Sequence, residues 1–381
     1  MKVVYIAPMF HTNQVPIVKG WVENGDQAAF VCQYTGKTEN HKYCTPYVLG
    51  YSGLFKAVNT LHSLLYRKKE GSCAYPEAFR DKCGFPPFMR LFRYLKKQKP
   101  DVVILRERSL YTIFAYFACS LQKLPCILYN QTPLWDNEPP RNDIAHRLVK
   151  RLTPTVRMTP VLGNPNTGYF DDMAIYIPFV IEPQLPPEQK SYFKNGKINL
   201  LCVGKFEERK HHLMLLEILR ELLSGYPLHL TLVGECSTTY HKNYYKLVQD
   251  FIAKHHLESF VTCHTNRKPE DMSDFYRAAD LFVLPSTGEF ASVSQLEAMS
   301  YSLPVIVSDT NGTACYIEDG QNGCLFKDKN IKDLKAKITD IIADKDKLIQ
   351  MGNHSYRLVY EKYSFGNYRK QIEELAAHAA E

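Results

Sequence analysis

A chain of 381 residues with 45% hydrophobic and 23% charged side chains has the composition of a folded globular protein, which excludes a disordered or low-complexity chain. Its length exceeds what one ordinary core fills and fits two domains of roughly 150 to 200 residues. The net charge of +7 is moderate and no basic-aromatic binding module accompanies it, so a nucleic-acid partner is not expected. The eleven cysteines contain no Cys-x-x-Cys pair, which argues against a zinc knuckle or a disulfide framework and suits a reducing cytoplasm.

In chain order, Val3-Ile6, Ala29-Gln33, Val102-Leu105 and Cys126-Tyr129 read as strands. Before the first proline the N-terminal apolar run is too short for a signal peptide, so no export is expected. The apolar stretch Leu110 to Leu121 falls short of the roughly 20 residues that span a bilayer and is predicted to be a buried crossover helix. Phe85 to Lys97 interleaves basic and aromatic residues. It reads either as a helix resting on an anionic membrane or as one packed into its own domain, and the second reading is preferred.

Pro178 to Pro187 holds four prolines and is predicted to be an extended linker at the domain boundary. Beyond it, strands at Ile198-Val203, Leu228-Val233, Phe260-Cys263, Leu281-Leu284, Pro304-Val307 and Cys324-Phe326 alternate with amphipathic stretches such as His211-Leu223 and Tyr244-His255. That alternation is the mark of βαβ units around a parallel sheet. Helices follow at Ile331-Ala343, Lys345-Tyr363 and Asn367-Ala380. The expected class is α/β, with two Rossmann-like doubly wound domains. Residues 1–184 form the first, residues 185–363 the second, and residues 364–381 a terminal helix packing back on the first.

Two segments carry chemistry. Glu289 to Glu297 follows the strand Leu281-Leu284, and ligands of open parallel sheets bind beyond the carboxyl ends of strands. Ser292 and Gln295 make a capping box that starts a helix at Val293, whose free amides would favour a diphosphate. Glu289 and Glu297 can each accept paired hydrogen bonds from sugar hydroxyls. After Val203, Gly204 permits a tight turn, and Lys205, Arg209 and Lys210 can converge on phosphate oxygens. The lone Asp344-Lys-Asp346 lies in a charged helical tract and reads as surface, so no metal site is expected.

These pieces resemble glycosyltransferase family 4 of the GT-B fold. The likeness rests on Val203-Gly-Lys205 with Lys210, Leu232-Val-Gly234, Ala279 to Ser286, Glu289 to Glu297 with Ala298-Met299, Leu303-Pro-Val305 and Asn322-Gly323. The resemblance implies two Rossmann-like domains facing a central cleft, with the donor in the second and the acceptor in the first. It implies that Glu289 contacts the donor sugar and Glu297 the ribose, with Lys205 and Lys210 on the diphosphate and Gly204, Arg209, Phe290, Ala291, Ser292 and Val293 around the donor. The implied activity is a retaining, metal-independent hexosyl transfer with no cofactor, from a nucleoside diphosphate sugar to a hydroxyl of a glycan or glycolipid. Cell-surface polysaccharide synthesis on the cytoplasmic side of the membrane would suit it.

Two departures stand out. Phe290-Ala-Ser replaces a frequent Gly-Phe-Gly, and Met9 to Pro16 lacks a double glycine. His11, Asn13, Glu107, Arg108, Asn130 and Gln131 lie near strand ends of the first domain and either line an acceptor pocket or make structural hydrogen bonds. A sugar-nucleotide epimerase and a non-catalytic nucleotide-sugar-binding protein remain as alternatives.

Overall fold

In the computed structural model, residues 1–36, 41–70, 79–80, 82–107, 110–136, 147, 150–163 and 168–379 are described. The chain divides into two compact units, Met1–Pro160 with Asn164–Val180 and Phe365–Glu381, and Ile181–Ser364 with Val161–Gly163.

In the first unit β1 (Lys2–Ala7), β2 (Gln27–Cys32), β3 (Tyr47–Val48), β4 (Val102–Arg106), β5 (Cys126–Tyr129), β7 (Val156–Thr159) and β9 (Ala174–Tyr176) form one sheet in the order β3-β2-β1-β4-β5-β7-β9. Every pairing in it is parallel. The short strands β6 (Trp135–Asp136) and β8 (Tyr169–Phe170) pair antiparallel apart from it. Because side chains alternate across a strand, β1 feeds two cores: Val3, Tyr5 and Ala7 join one, and Val4 and Ile6 the other. Burial on both faces explains why its sequence is an unbroken apolar run.

Helices α1 (Val15–Glu23), α2 (Gly53–Glu70), α3 (Phe88–Gln98) and α4 (Leu110–Ser120) connect these strands. Leu91 and Leu95 of α3 are fully buried beside Ala115 and Ala118 of α4. Burying two leucines contributes about 3 to 6 kcal/mol, and this decides that the apolar face of α3 belongs to its own unit. Strands β7 and β9, the last two of the sheet, escape the sequence reading because they are only four and three residues long and β7 carries an arginine and a threonine. Arg157 sits in the middle of β7 and is buried.

The second unit contains β10 (Ile198–Val203), α5 (His212–Leu222), β11 (Leu228–Gly234), α6 (Thr239–Lys254), β12 (Val261–Thr265), α7 (Met272–Ala278), β13 (Leu281–Leu284), α8 (Val293–Ser300), β14 (Val305–Ser308), β15 (Gly323–Phe326), α9 (Ile331–Ile342) and α10 (Lys345–Lys362). Its six parallel strands run in the order β12-β11-β10-β13-β14-β15. This is the doubly wound arrangement in which the chain moves outward from the first strand, then returns to its other side.

The terminal helix α11 (Phe365–His378) belongs to the first unit, with Tyr368 and Ile372 in its core. Phe365 meets the edge of Trp21 at 5.0 Å. A Cβ on Gly20 would lie 2.1 Å from the Phe365 ring, so only glycine lets α11 approach α1 there. The segment between the units has no regular structure, but it is not a free linker. Phe179, Val180, Ile181 and Leu185 are buried, and the amides of Gln184 and Leu185 both donate to the Ser300 carbonyl.

His212, at the start of α5, is fully buried against Phe206, and neither ring nitrogen has a partner among the described residues. Burial lowers its imidazole to about 3, and the charge of Lys210 acts in the same direction. The unfolded chain protonates this group near pH 6.5, and the folded chain resists until about 3. The stabilisation is therefore complete above 6.5 and lost as the pH falls, by about 2 kcal/mol near pH 5. Urea unfolding near pH 7.5 and pH 5 should show a smaller pH-dependent loss for His212→Leu than for wild type; equal losses would refute this.

Candidate functional site

The order of the second sheet puts its switch point between β10 and β13, the adjacent strands from which the chain departs in opposite directions. The loops after these strands are the two that the sequence singled out, and a ligand of an open parallel sheet is expected there. Phe206, fully buried against His212 and Tyr245, anchors the first loop. A single 3-10 turn at Glu208–Lys210 and a left-handed His211 (φ 51°) then return the chain to α5. The Lys210 stem passes so near Gly204 that a Cβ there would stand 3.2 Å from it.

The two loops are joined by backbone and side chain. The Thr287 amide donates to the Arg209 carbonyl at 2.9 Å. Thr287 Oγ1 donates to Asp328 Oδ1 at 2.8 Å, so the His211 Nε2 found 2.7 Å from that hydroxyl is its donor. Lys210 Nζ and Arg209 Nη1 both donate to Glu289 Oε2, the latter at 2.8 Å, and Arg209 also holds Glu207 at 2.6 Å. Lys210 is only 6% exposed, so this is not an ion pair of a solvated surface. Burial acts to raise the Glu289 carboxyl, but the Lys210 ammonium and the Arg209 guanidinium outweigh it and hold the group below the usual carboxylate range. The Gly312 amide fixes the loop by donating to the Glu289 carbonyl at 2.7 Å.

Lys205 does not join this cluster in the structure. Its ammonium pairs with Glu235 at 3.3 Å, and both side chains are well exposed. Phe290 is 75% exposed, Ala291 is half-buried, and Val293 opens α8. Ser292 caps α8 by accepting from the Gln295 amide at 3.3 Å. The reciprocal half of the predicted capping box is not made: Gln295 Oε1 accepts instead from Thr313 Oγ1 at 2.7 Å, and the Ser292 amide donates to that same Thr313 hydroxyl. Ser294 Oγ donates to the Val203 carbonyl, docking the start of α8 on the end of β10.

Glu297, one turn further along α8, accepts a hydrogen bond from the Tyr276 hydroxyl at 2.6 Å. Burial pushes its carboxyl up and the tyrosine hydroxyl opposes that shift. Sequence reasoning missed Tyr276, although it stands three residues before the Ala279 to Ser286 segment that carries the family likeness. It also missed Thr287, Asp328 and Thr313, whose roles depend on pairings across the sheet. Asp344 of the Asp-x-Asp pair caps α10 by accepting from the amides of Asp346 and Lys347.

In the first unit, Glu107 Oε1 pairs with the buried Arg157 at 3.2 Å and Glu107 Oε2 accepts from Asn130 at 3.4 Å. A buried guanidinium needs such a partner, so Glu107 carries a structural duty. Gln131 accepts from Arg106 at 2.9 Å and donates to the Tyr129 hydroxyl. The His11 amide donates to Gln14, and Asn13 borders a cavity of about 40 Å³ together with Tyr5, Tyr129 and Tyr368. Arg108 lies outside the described residues.

Residues 187–358 match the family model described as glycosyl transferases group 1. Over 189 residues, 48% of this chain, the sequence is 28% identical to an uncharacterized glycosyltransferase of Methanocaldococcus jannaschii, and it spans half of that relative's length. A glycosyltransferase of Rickettsia africae superposes with a TM-score of 0.67 at 14% identity, over 99% of this chain and 98% of that one. Anabaena HepE, solved in complex with UDP, gives the same score and identity over 99% of this chain and all of its own. The fold is GT-B, two Rossmann-like domains in one chain.

Proposed function

We propose that this chain is a retaining glycosyltransferase of family 4 that moves a hexosyl group from a nucleoside diphosphate sugar to a hydroxyl of a glycan or lipid-linked acceptor. The observation that carries the reading is the Lys210, Arg209 and Glu289 cluster at the switch point of the second sheet. Lys210 and Arg209 meet the departing diphosphate, assisted by the helix-end amides of Val293 and Ser294, and Lys205 swings from Glu235 to join them. Glu289 receives the sugar hydroxyls and Glu297 the ribose, with Gly204, Phe290, Ala291 and Ser292 shaping the donor pocket. These cations take the part a metal ion would otherwise play, so the reaction proceeds without one. The UDP-bound state of HepE supports a nucleotide donor.

The acceptor falls to the first unit, where His11, Asn13, Asn130 and Gln131 lie in the loops beyond β1 and β5, and Glu107 beyond β4. Synthesis of a cell-surface polysaccharide on the cytoplasmic side is the setting this chemistry suits. The test is a thermal-shift screen of nucleoside diphosphates and their sugars, followed by transfer to glycan and lipid-linked acceptors with the product anomer read by NMR. Stabilisation by one nucleotide and a product of unchanged anomeric configuration support the reading. Inversion of the anomer, epimerised donor without transfer, or no nucleotide response would each defeat it.

Tyr276→Phe provides a further check. It removes the hydroxyl that opposes the rise of the Glu297 carboxyl, so nucleotide affinity should fall about fivefold, the worth of one hydrogen bond. The acid limb of its pH profile should also move to higher pH. Calorimetric titration across pH reads both, and an unshifted limb would detach Glu297 from nucleotide binding.

A further inference from the structure

Helix α2 is turned inside out relative to an ordinary surface helix. Phe55 is buried against Phe85, with ring centroids 5.8 Å apart, and Asn59 and His62 share that inward side. Leu54, Val58, Leu61, Leu64 and Leu65 face outward, the four leucines 59% to 71% exposed. At 100° per residue these five and Ala57 fall on one arc of about 120°, so the exposure is a continuous stripe rather than scattered residues. A water-soluble surface does not ordinarily carry such a stripe unless something covers it.

The charge of the surrounding sequence identifies what would cover it. Residues 53–99 contain eleven Lys or Arg and three Asp or Glu, an excess of +8, whereas the whole chain has +7. The entire positive excess of the sequence therefore falls in the stretch that runs from α2 through α3. Lys56, Lys82, Arg90, Arg93, Lys96 and Lys97 are exposed. The Ser52 amide donates to the Phe85 carbonyl, tying the start of α2 to the segment that leads into α3. Exposed leucines within a stretch of concentrated positive charge match an anionic lipid interface, where the apolar stripe enters the headgroup boundary and the cations meet lipid phosphates. A second copy of the chain would bring the same positive surface against itself.

We infer that α2, with the basic face of α3, docks the protein on anionic membranes as a peripheral element. Among the described residues no helix is long and apolar enough to cross a membrane, so docking rests on this stripe and its charges. The inference goes beyond the donor chemistry and does not depend on it.

The test is sedimentation of the full chain with vesicles of phosphatidylcholine alone and of phosphatidylcholine mixed with phosphatidylglycerol. Wild type should bind the mixed vesicles, and raised salt should weaken that binding. Leu54→Ser with Leu61→Ser and Leu65→Ser should weaken it about tenfold or more while the melting temperature stays unchanged. Arg93→Glu with Lys97→Glu should weaken it as well and reduce its salt dependence. Absence of binding by a folded wild type would overturn the inference. So would a lipid-free dimer that the serine variant converts to monomer, since a second copy would then be the occupant.

Discussion

Lys210→Ala is expected to lower kcat/KM for the nucleotide sugar by about 10²- to 10³-fold, the usual effect of removing one preorganised charge from a developing anion. Lys210 is a buried cation at the mouth of β10, and it contacts Glu289. Its removal acts twice. The diphosphate loses a positive partner, and Glu289 keeps only Arg209 against the burial that raises its carboxyl. Glu289 should consequently titrate higher in the variant, and residual activity should fall off at a higher pH than in wild type. Lys210→Arg keeps the charge and should recover part of the rate; the geometry of a planar guanidinium sets the remainder. Steady-state kinetics with a melting curve for each variant separates these effects. An alanine variant that melts like wild type and turns over at an undiminished rate would remove Lys210 from the mechanism.

Gly312→Ala should have an effect of the same order without touching a charged group. A Cβ at this position would lie 1.9 Å from the Phe290 carbonyl oxygen and 3.2 Å from that of Glu289. No side-chain rotation can relieve a clash with backbone, so the Glu289 loop must move. Misplacement of a reacting group by about 1 Å can cost 10²-fold in rate, and the loss should appear in nucleotide affinity and turnover together. Gly225→Ala is the control, since the nearest atom to its Cβ would be 4.0 Å away; it should leave both unchanged. Wild-type nucleotide affinity in Gly312→Ala would mean that the loop tolerates displacement and that the Gly312 amide does not hold Glu289.

Most of the second unit could be read from the sequence, and the reason is burial. Strands covered on both faces are continuous runs such as Ile-Asn-Leu-Leu-Cys-Val and Leu-Phe-Val-Leu, bounded by turns, and their predicted limits differ from the observed ones by a residue or two. In the first unit the same argument found β1, β2, β4 and β5. It missed β7 and β9, which are too short to show a pattern of their own and are held by pairing, β7 with β5 and β9 with β7. Helix α6 begins five residues before its expected start because Thr238 accepts from the His241 amide and caps a polar first turn.

By itself the sequence determined the alternation of strands and helices, the segments that follow the carboxyl ends of β10 and β13, and the residue types those segments offer. Only the tertiary structure decided which of them meet. Lys210 and Glu289 are 79 residues apart, and it is the parallel adjacency of β10 and β13 that brings them into contact. The turn at Glu208–Lys210 directs Lys210 inward while Lys205 pairs outward with Glu235, a choice that no spacing of basic residues contains. The leucines of α2 show the same division. Their helical period is written in the chain, but the direction in which the stripe faces follows from which side of the helix the fold buries. Periodicity is a local property fixed by backbone geometry, whereas orientation and pairing arise when distant segments compete for one core.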